Sequence, residues 1–307
     1  MADILKALNE TNAGQGLELL QEQISTKVIE YLTEQTVLRK ILPSIKTNTK
    51  QVRFPKFTGS GLSVTWFSDD VTGYPVSDST PATGDSTVKA YRLMAKVYIT
   101  DDMRDDAIVD VMDYIGRFVA NEIANEEEQA FLEGDGSTVP ITGLANWSGV
   151  NTINPSDGTN GDDISLAKFT KAWELVRKGY GSADTIVMRP EHYRQLLDLK
   201  DSNNRPIFTP ATYGDAVMQS GAVGTLYGMK VYVTTNISID SSTYANDTAN
   251  IFVFDSKKSG LIIDRKAVDL ETKREPDYAR TMLVVSKRTG FFVQYPATVT
   301  VIKGVKV

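Results

Sequence analysis

The sequence predicts a mixed α+β fold, and three observations carry that prediction. A helical pattern runs from Asp101 to Leu132 without proline and with Gly116 as its one glycine. At ~1.5 Å per residue this makes a rod of roughly 48 Å, far beyond the ordinary helix of about 11–12 residues. Strand-type sequence fills residues 49–100 directly before it. After it comes a half in which short apolar runs alternate with amphipathic helical ones, the signature of α/β packing.

Each element follows from local chemistry. Residues 1–16 are polar, carry Gly14 and Gly16, and read as a flexible leader. Leu17, Leu20, Ile24, Val28, Tyr31 and Leu32 then recur at three- and four-residue spacing, an amphipathic helix. Two roles fit it: a cap on the chain's own core, or an arm lying on a neighbouring copy with Leu20, Ile24 and Val28 as contact residues. Pro43 breaks the chain after it.

Three strand-like runs follow: Lys50–Phe57, Leu62–Phe67 and Val88–Ile99, the last alternating as a half-exposed strand does. The stretch from Ser68 to Thr87 is rich in Ser, Thr, Asp, Gly and Pro, so the expected shape is a long two-stranded ribbon with a polar tip. Such a ribbon is marginal in water and needs a surface to lie against. Trp66, Phe67 and Tyr74 suit either a core or an interface, and Arg53 and Lys56 join them as candidate subunit contacts.

Thr100 is the expected N-cap of the long helix, and Asp101, Asp102, Asp105 and Asp106 sit where its dipole favours acids. Met103, Ala107, Ile108, Val111, Met112, Ile115, Phe118, Val119 and Ile123 form a stripe that calls for packing on a sheet. Gly134 stops the helix, and Gly134, Gly136, Pro140 and Gly143 shape the turn that follows. Downstream, Leu166–Lys178 and Glu191–Lys200 read as helices. Asp184–Met188, Met229–Val233, Ile251–Phe254, Leu261–Ile263, Arg280–Lys287, Phe291–Gln294 and Thr298–Ile302 read as strands.

Composition narrows the function. The chain has 307 residues, 41% of them hydrophobic and 23% charged, as a folded protein of more than one lobe requires. No stretch reaches ~18 consecutive apolar residues and no basic leader precedes an apolar signal core, so the product is expected to stay in the cytoplasm where it is made. Zero Cys removes disulfides, thiol catalysis and thiolate metal sites. A net charge of −6, with basic clusters no longer than Lys257-Lys258 and Lys287-Arg288, does not describe a protein that condenses nucleic acid onto itself.

Candidate chemistry is sparse. His192, the one histidine, has no partner cluster and reads as a solvated or capping side chain. Glu122 and Glu126 lie one turn apart, but without Glu-x-x-His partners the acids of the long helix, Glu126–Glu128 included, read as a solvated face. Asn154–Asp163 lacks the calcium-loop order and its twelfth-position glutamate, so it reads as a polar turn. Ser220–Gly228 fits no phosphate-binding pattern. Catalytic, cofactor and metal roles are therefore not expected.

The order of parts is distinctive: arm helix, ribbon, long helix, Gly/Pro loop, α/β lobe, closing strands. It resembles the major capsid proteins of tailed bacteriophages, the Hong Kong ninety-seven-type fold shared with encapsulins. The segments carrying the resemblance are Phe131–Gly136 with Pro140 and Gly143-Leu144, then Val187–Pro190 with Leu196–Asp201 and Pro206–Phe208. Leu226–Val231, Arg288–Pro296 and Thr300–Gly304 complete them. The resemblance implies an N-terminal arm at 1–48, an extended loop at 49–98, and a peripheral domain at 99–183 and 264–296 with its spine helix at 101–133. It implies an axial domain at 184–263 and 297–307. It also implies self-assembly into pentamers and hexamers around double-stranded DNA held without sequence-specific contact, in a virion capsid assembled in the host cytoplasm. Separate scaffolding, portal and decoration proteins are possible partners in that reading, and no membrane is. An encapsulin-type compartment is the alternative within the fold. From other classes, a metal-dependent enzyme on Glu122 and Glu126 predicts stoichiometric metal, and a tail component or adhesin predicts fibres or rings.

Overall fold

The structure is a computed structural model and describes residues 36–57, 83–106, 111–200, 203, 207, 208, 210 and 221–307. The amphipathic segment 17–32, the run Leu62–Phe67 and Tyr74 lie outside the described residues. The first elements are α1 (Leu38–Ile41), β1 (Ser44–Lys46), β2 (Gln51–Phe57), β3 (Thr83–Lys89), β4 (Tyr91–Thr100), α2 (Asp101–Asp106) and α3 (Val111–Glu133). Then follow β5 (Asn151–Ile153), α4 (Leu166–Lys178), β6 (Thr185–Met188), α5 (Pro190–Asp198), β7 (Gly224–Leu226) and β8 (Met229–Val233). The chain closes with β9 (Thr248–Phe254), β10 (Gly260–Glu275), β11 (Arg280–Val293) and β12 (Val299–Lys306).

A six-stranded sheet, ordered β5-β12-β9-β6-β8-β7, forms the larger core. On one face α4 and α5 bring Phe169, Ala172, Val176 and Leu196 onto Ile186, Met188, Val231, Ile251 and Val253. On the other, Val187, Tyr232, Phe252, Phe254, Val299 and Val301 meet Phe131 and Leu132 at the end of α3 and Ile262, Phe291 and Val293 from β10 and β11. Coverage on both faces explains why β6 is an unbroken apolar run rather than an alternating one. The sheet takes in β5 and is packed by α4, so its span begins upstream of residue 184.

The second sheet, β1-β10-β11-β4, is covered on one face by α3, where Val119 and Ile123 pack on Leu283, Val285, Leu93, Ala95 and Val97. The outward face of β4 carries Arg92, Met94, Lys96 and Tyr98, all exposed. The expected long helix is present as α2 and α3; residues 107–110 between them lie outside the described residues. The Thr100 hydroxyl accepts the Met103 N–H at 3.3 Å, as an N-cap should.

Three expected strands come out differently, and the short strands β1, β5 and β7 are not among those read from the sequence. The expected ribbon strand Val88–Ile99 divides at Ala90, whose N–H donates to the Lys50 carbonyl at 3.0 Å. β3 therefore pairs with β2, while β4 joins the body beside β11. β10 runs to 16 residues where only 261–263 was legible, because its polar half is held by pairing to β11 and not by burial. β11 passes unbroken through Gly290, where two strands were expected. A Cβ there would lie 2.7 Å from the Lys89 carbonyl oxygen, so this glycine admits the base of the ribbon instead of ending a strand.

Candidate assembly surfaces and the anchor beneath them

The turn after α3 is built by close backbone approach. A Cβ on Gly134 would lie 2.2 Å from the Ile141 carbonyl oxygen, and one on Gly143 would lie 2.6 Å from the Gly134 nitrogen. Gly134 is therefore not a left-handed stop; only Gly136 in this turn has positive φ, at 74°. With no side chains in the way, the loop folds back and satisfies the helix end: Gly134, Leu144 and Ala145 donate N–H groups to the carbonyls of Ala130, Phe131 and Leu132 at 2.8–3.0 Å. Asn146 Nδ2 donates to the Glu133 carbonyl at 2.9 Å. The Asp135 carboxylate accepts the N–H groups of Ser137, Val139 and Thr138, which hold it well below the usual carboxylate range. Pro140 lies exposed on the outer side of the turn.

The Glu126–Glu128 run is not the solvated face that the charge pattern suggests. Glu122 and Glu126 are exposed, but Glu127 and Glu128 are each 2% accessible. Glu127 accepts Arg39 at 2.6 Å and Lys287 at 2.6 Å, and the same Arg39 binds Asp264 at 2.8 Å. Glu128 Oε1 accepts the N–H groups of Val37 and Leu38 at 2.6 and 2.8 Å, so it caps α1 across ninety positions of sequence. Its other oxygen accepts Asn236 Nδ2 at 2.6 Å and the Thr234 hydroxyl at 3.2 Å. Burying these carboxylates is tolerable only because each of their oxygens has a donor. The result is an anchor: the chain at residues 37–42 is fixed to α3 and to the junction of the two sheets. No local signal marks it, since the cations arrive from β11 and from before β1.

Among the contact residues expected from sequence, Leu20, Ile24, Val28, Trp66, Phe67 and Tyr74 lie outside the described residues. Arg53 and Lys56 are placed on β2, exposed, with Arg53 paired to Asp85 of β3 at 3.0 Å. Where the β2–β3 ribbon meets the body, Phe54 stacks on Phe292 at 4.8 Å and Val52 packs beside it. The projecting strands also present apolar groups that sequence reasoning did not single out. Met94, Val268, Leu270 and Tyr278 are about half or more exposed, and Arg280 lies over the rings of Tyr98 and Tyr278 at 4.0 and 4.6 Å.

His192 corrects another expectation. It is buried, not solvated: Nε2–H donates to the Val305 carbonyl at 3.2 Å, and burial pushes its pKa down, which keeps the ring neutral. The 154–163 turn is indeed polar, with Asp162 accepting from Ser156 and Asp157 and paired with Lys168 at 2.9 Å. Of the Ser220–Gly228 stretch, the described residues 221–228 supply β7 and its hairpin turn. Among the described residues no group of three or more His, Asp or Glu side chains gathers as a metal site, and no helix is long and apolar enough to cross a membrane.

These features define a class: a closed α+β body with strand elements projecting from it. Solved structures share the fold. The capsid of a native GTA particle matches at TM-score 0.76 and 18% identity, covering 97% of this chain and 100% of that one. A structure from Microbacterium phage Oxtober96 matches at 0.73 and 17%, with 95% and 98% covered. The SrpI encapsulin complex from Synechococcus elongatus PCC 7942 matches at 0.67 and 10%, with 94% of each chain covered. Residues 16–304 match the phage capsid family, and the chain belongs to it. A curated relative, the major capsid protein of Escherichia phage T5, is 22% identical over 93% of this chain, which spans 62% of that protein's length.

Proposed function

We propose that this chain is the major structural subunit of an icosahedral shell, self-assembling as pentamers and hexamers around the double-stranded DNA of a tailed phage or prophage. The observation that carries the reading is the contrast, among the described residues, between a well-packed body and strand elements that project from it with exposed side chains. The described part of the ribbon meets the body through Val52 and Phe54 at its base, and β10–β11 carries exposed apolar side chains. Extended contacts of this kind are individually weak and are multiplied by closure.

In this reading the four-stranded sheet with α2 and α3 is the peripheral domain and the six-stranded sheet with α4 and α5 is the axial domain. Residues 49–89 form the extended loop. Residues 1–35 are an arm whose root the Glu127–Glu128 anchor holds. Arg53 and Lys56 on the ribbon, and Leu20, Ile24, Val28, Trp66, Phe67 and Tyr74, contact neighbouring copies. A net charge of −6 suits a wall that does not recruit its DNA by counterion release, with DNA and any scaffolding, portal or decoration protein arriving separately. The role is structural, without catalysis, and the shell is assembled in the host cytoplasm.

Light scattering and negative-stain microscopy of the purified chain test this directly. Closed particles are expected; a monomer under every assembly condition overturns it. Particles recovered from cells should protect DNA from nuclease. A folded cargo enzyme in its place moves the assignment to an encapsulin-type compartment.

A further inference from the structure

The six-stranded sheet is polarised in charge from one end to the other. Its register places Thr185, Lys230, Phe254 and Val299 in one row across β6, β8, β9 and β12. Just beyond that row sit Arg177, Lys178, Lys257 and Lys258, and the aromatic rings of Tyr180, Tyr227 and Tyr295. The carboxylates there are turned inward. Asp184 accepts the Ser256 hydroxyl and N–H, and buried Asp255 accepts the N–H groups of Ser182 and Lys257. Glu174 is exposed on the adjoining helix.

Tyr180 is the sharpest feature of this end. It is 89% exposed, yet its backbone is left-handed, with φ 61°. Gly179 beside it cannot carry a side chain, since a Cβ would lie 2.1 Å from the Ala297 carbonyl oxygen, and Lys258 Nζ donates to the Tyr180 carbonyl at 2.9 Å. Tyr227 repeats the arrangement: φ 52°, about half exposed, at the tip of the β7–β8 hairpin. With Trp173 and Thr170 it lines an open cleft of about 320 Å³. Two aromatic rings carried outward on turns of left-handed backbone are suited to packing against another surface.

The opposite end has the opposite sign. Loops 154–163 and 238–247 carry Asp157, Asp162, Asp163, Asp240 and Asp247 and contain no Lys or Arg. They are joined through Ala245 N–H to the Thr159 carbonyl at 2.9 Å and Asn246 Nδ2 to the Asn160 carbonyl at 2.9 Å. Bridges at Asp162–Val305 and Asp240–Thr248 fix them to the far ends of β12 and β9. Lys168 pairs with Asp162 and Lys306 with Asp163, Lys303 lines a pocket with Asp240, and Arg189 donates to the Ile237 carbonyl at the root of the second loop, so the uncompensated acids are fewer than the aspartates.

We infer that the two ends of this sheet are the two halves of one head-to-tail contact: the basic, tyrosine-bearing end of one copy docks on the aspartate loops of the next. Opposite charges at opposite ends of a single body favour a heterologous interface, which closes into rings when the rotation permits. The inference rests on the proposed self-assembly and names the surface that would drive it.

Charge exchange in the full chain tests it. The basic-end variant Lys178→Glu/Lys257→Glu and the acid-end variant Asp163→Lys/Asp247→Lys should each lower particle yield at least tenfold, with unchanged circular dichroism. The four-substitution chain carries both exchanges and should regain particles, because the exchanged positions again face opposite charge. Tyr180→Asn keeps a residue that tolerates positive φ but removes the ring, and should also lower the yield. Wild-type yield from either charge variant, or from Tyr180→Asn, overturns the inference, as does failure of a folded four-substitution chain to recover. Normal particles from the basic-end variant with loss of duplex-DNA retention would make this end a nucleic-acid surface and overturn it too. A wild-type chain that never assembles removes the proposed function and this contact together.

Discussion

The two sheets of this protein solve the same packing problem to different degrees. In the six-stranded sheet both faces of the central strands are covered from within the chain: α4 and α5 on one side, the end of α3 with β10 and β11 on the other. The four-stranded sheet is covered by α3 on one face, and its other face and its far end carry Met94, Tyr98, Val268 and Tyr278 into solvent. Burial in the first sheet stabilises the monomer. Exposure in the second costs the monomer little and leaves apolar area for a contact with another copy. A substitution should therefore affect folding in one region and assembly in the other.

The largest expected effects fall inside the first region and at the junction. Phe252→Ala should destabilise the monomer by about 3–5 kcal/mol in denaturant unfolding, through lost transfer energy and a cavity. Glu127→Ala should cost about 3–5 kcal/mol because Lys287 is left buried without its partner, whereas Glu126→Ala, one residue away and exposed, should stay within about 0.5 kcal/mol. Equal effects from these neighbours would remove the anchor from the account.

Intermediate effects are expected at the turn. Gly134→Ala should cost about 1–3 kcal/mol because its Cβ meets the Ile141 carbonyl, while Gly158→Ala, with nothing within 4 Å, should be neutral or slightly stabilising. A smaller effect belongs to acid. Burial raises the Asp264 pKa, but Arg39, Lys287 and Thr289 outweigh it and hold the group below its ordinary value. Its contribution is complete above the unfolded value of about 3.9 and is lost as pH falls through the lower folded value. Asp264→Asn should therefore flatten the acid limb of a stability–pH curve below about pH 4, and a limb as steep as wild type would contradict this. The smallest effect on folding is expected at the exposed tip: Tyr278→Ser should stay within about 0.5 kcal/mol. Particle yield should nevertheless fall, and a yield equal to wild type would sharpen the comparison against the four-stranded sheet.

Much of this was legible locally. The Ile115, Val119 and Ile123 part of the long helix's stripe, the N-cap at Thr100 and the buried runs at 185–188 and 251–254 all depend on neighbours within a few residues, so pattern and propensity expose them. Met103 and Phe118, read into the same stripe, are instead exposed. The polar half of β10 was not legible, because the partner that makes it a strand is β11. Glu127 and Glu128 were misread for the same reason. A charge run reads as solvated until cations and N–H donors arrive from elsewhere, and Arg39 and Lys287 stand 88 and 160 residues away from Glu127. His192 was misread likewise, since its acceptor is a carbonyl of β12.

By itself the amino-acid order determined the α+β class, the order of the main helices and buried strands and the absence of thiol chemistry, since periodicity and composition act at short range. Only the tertiary structure decided that β4 leaves the ribbon for the body, that two glutamates anchor the root of the N-terminal segment, and that one sheet carries opposite charge at its two ends. Those outcomes depend on which distant groups share a low-dielectric space or a sheet edge, and chain closure over tens to hundreds of residues is what brings them together.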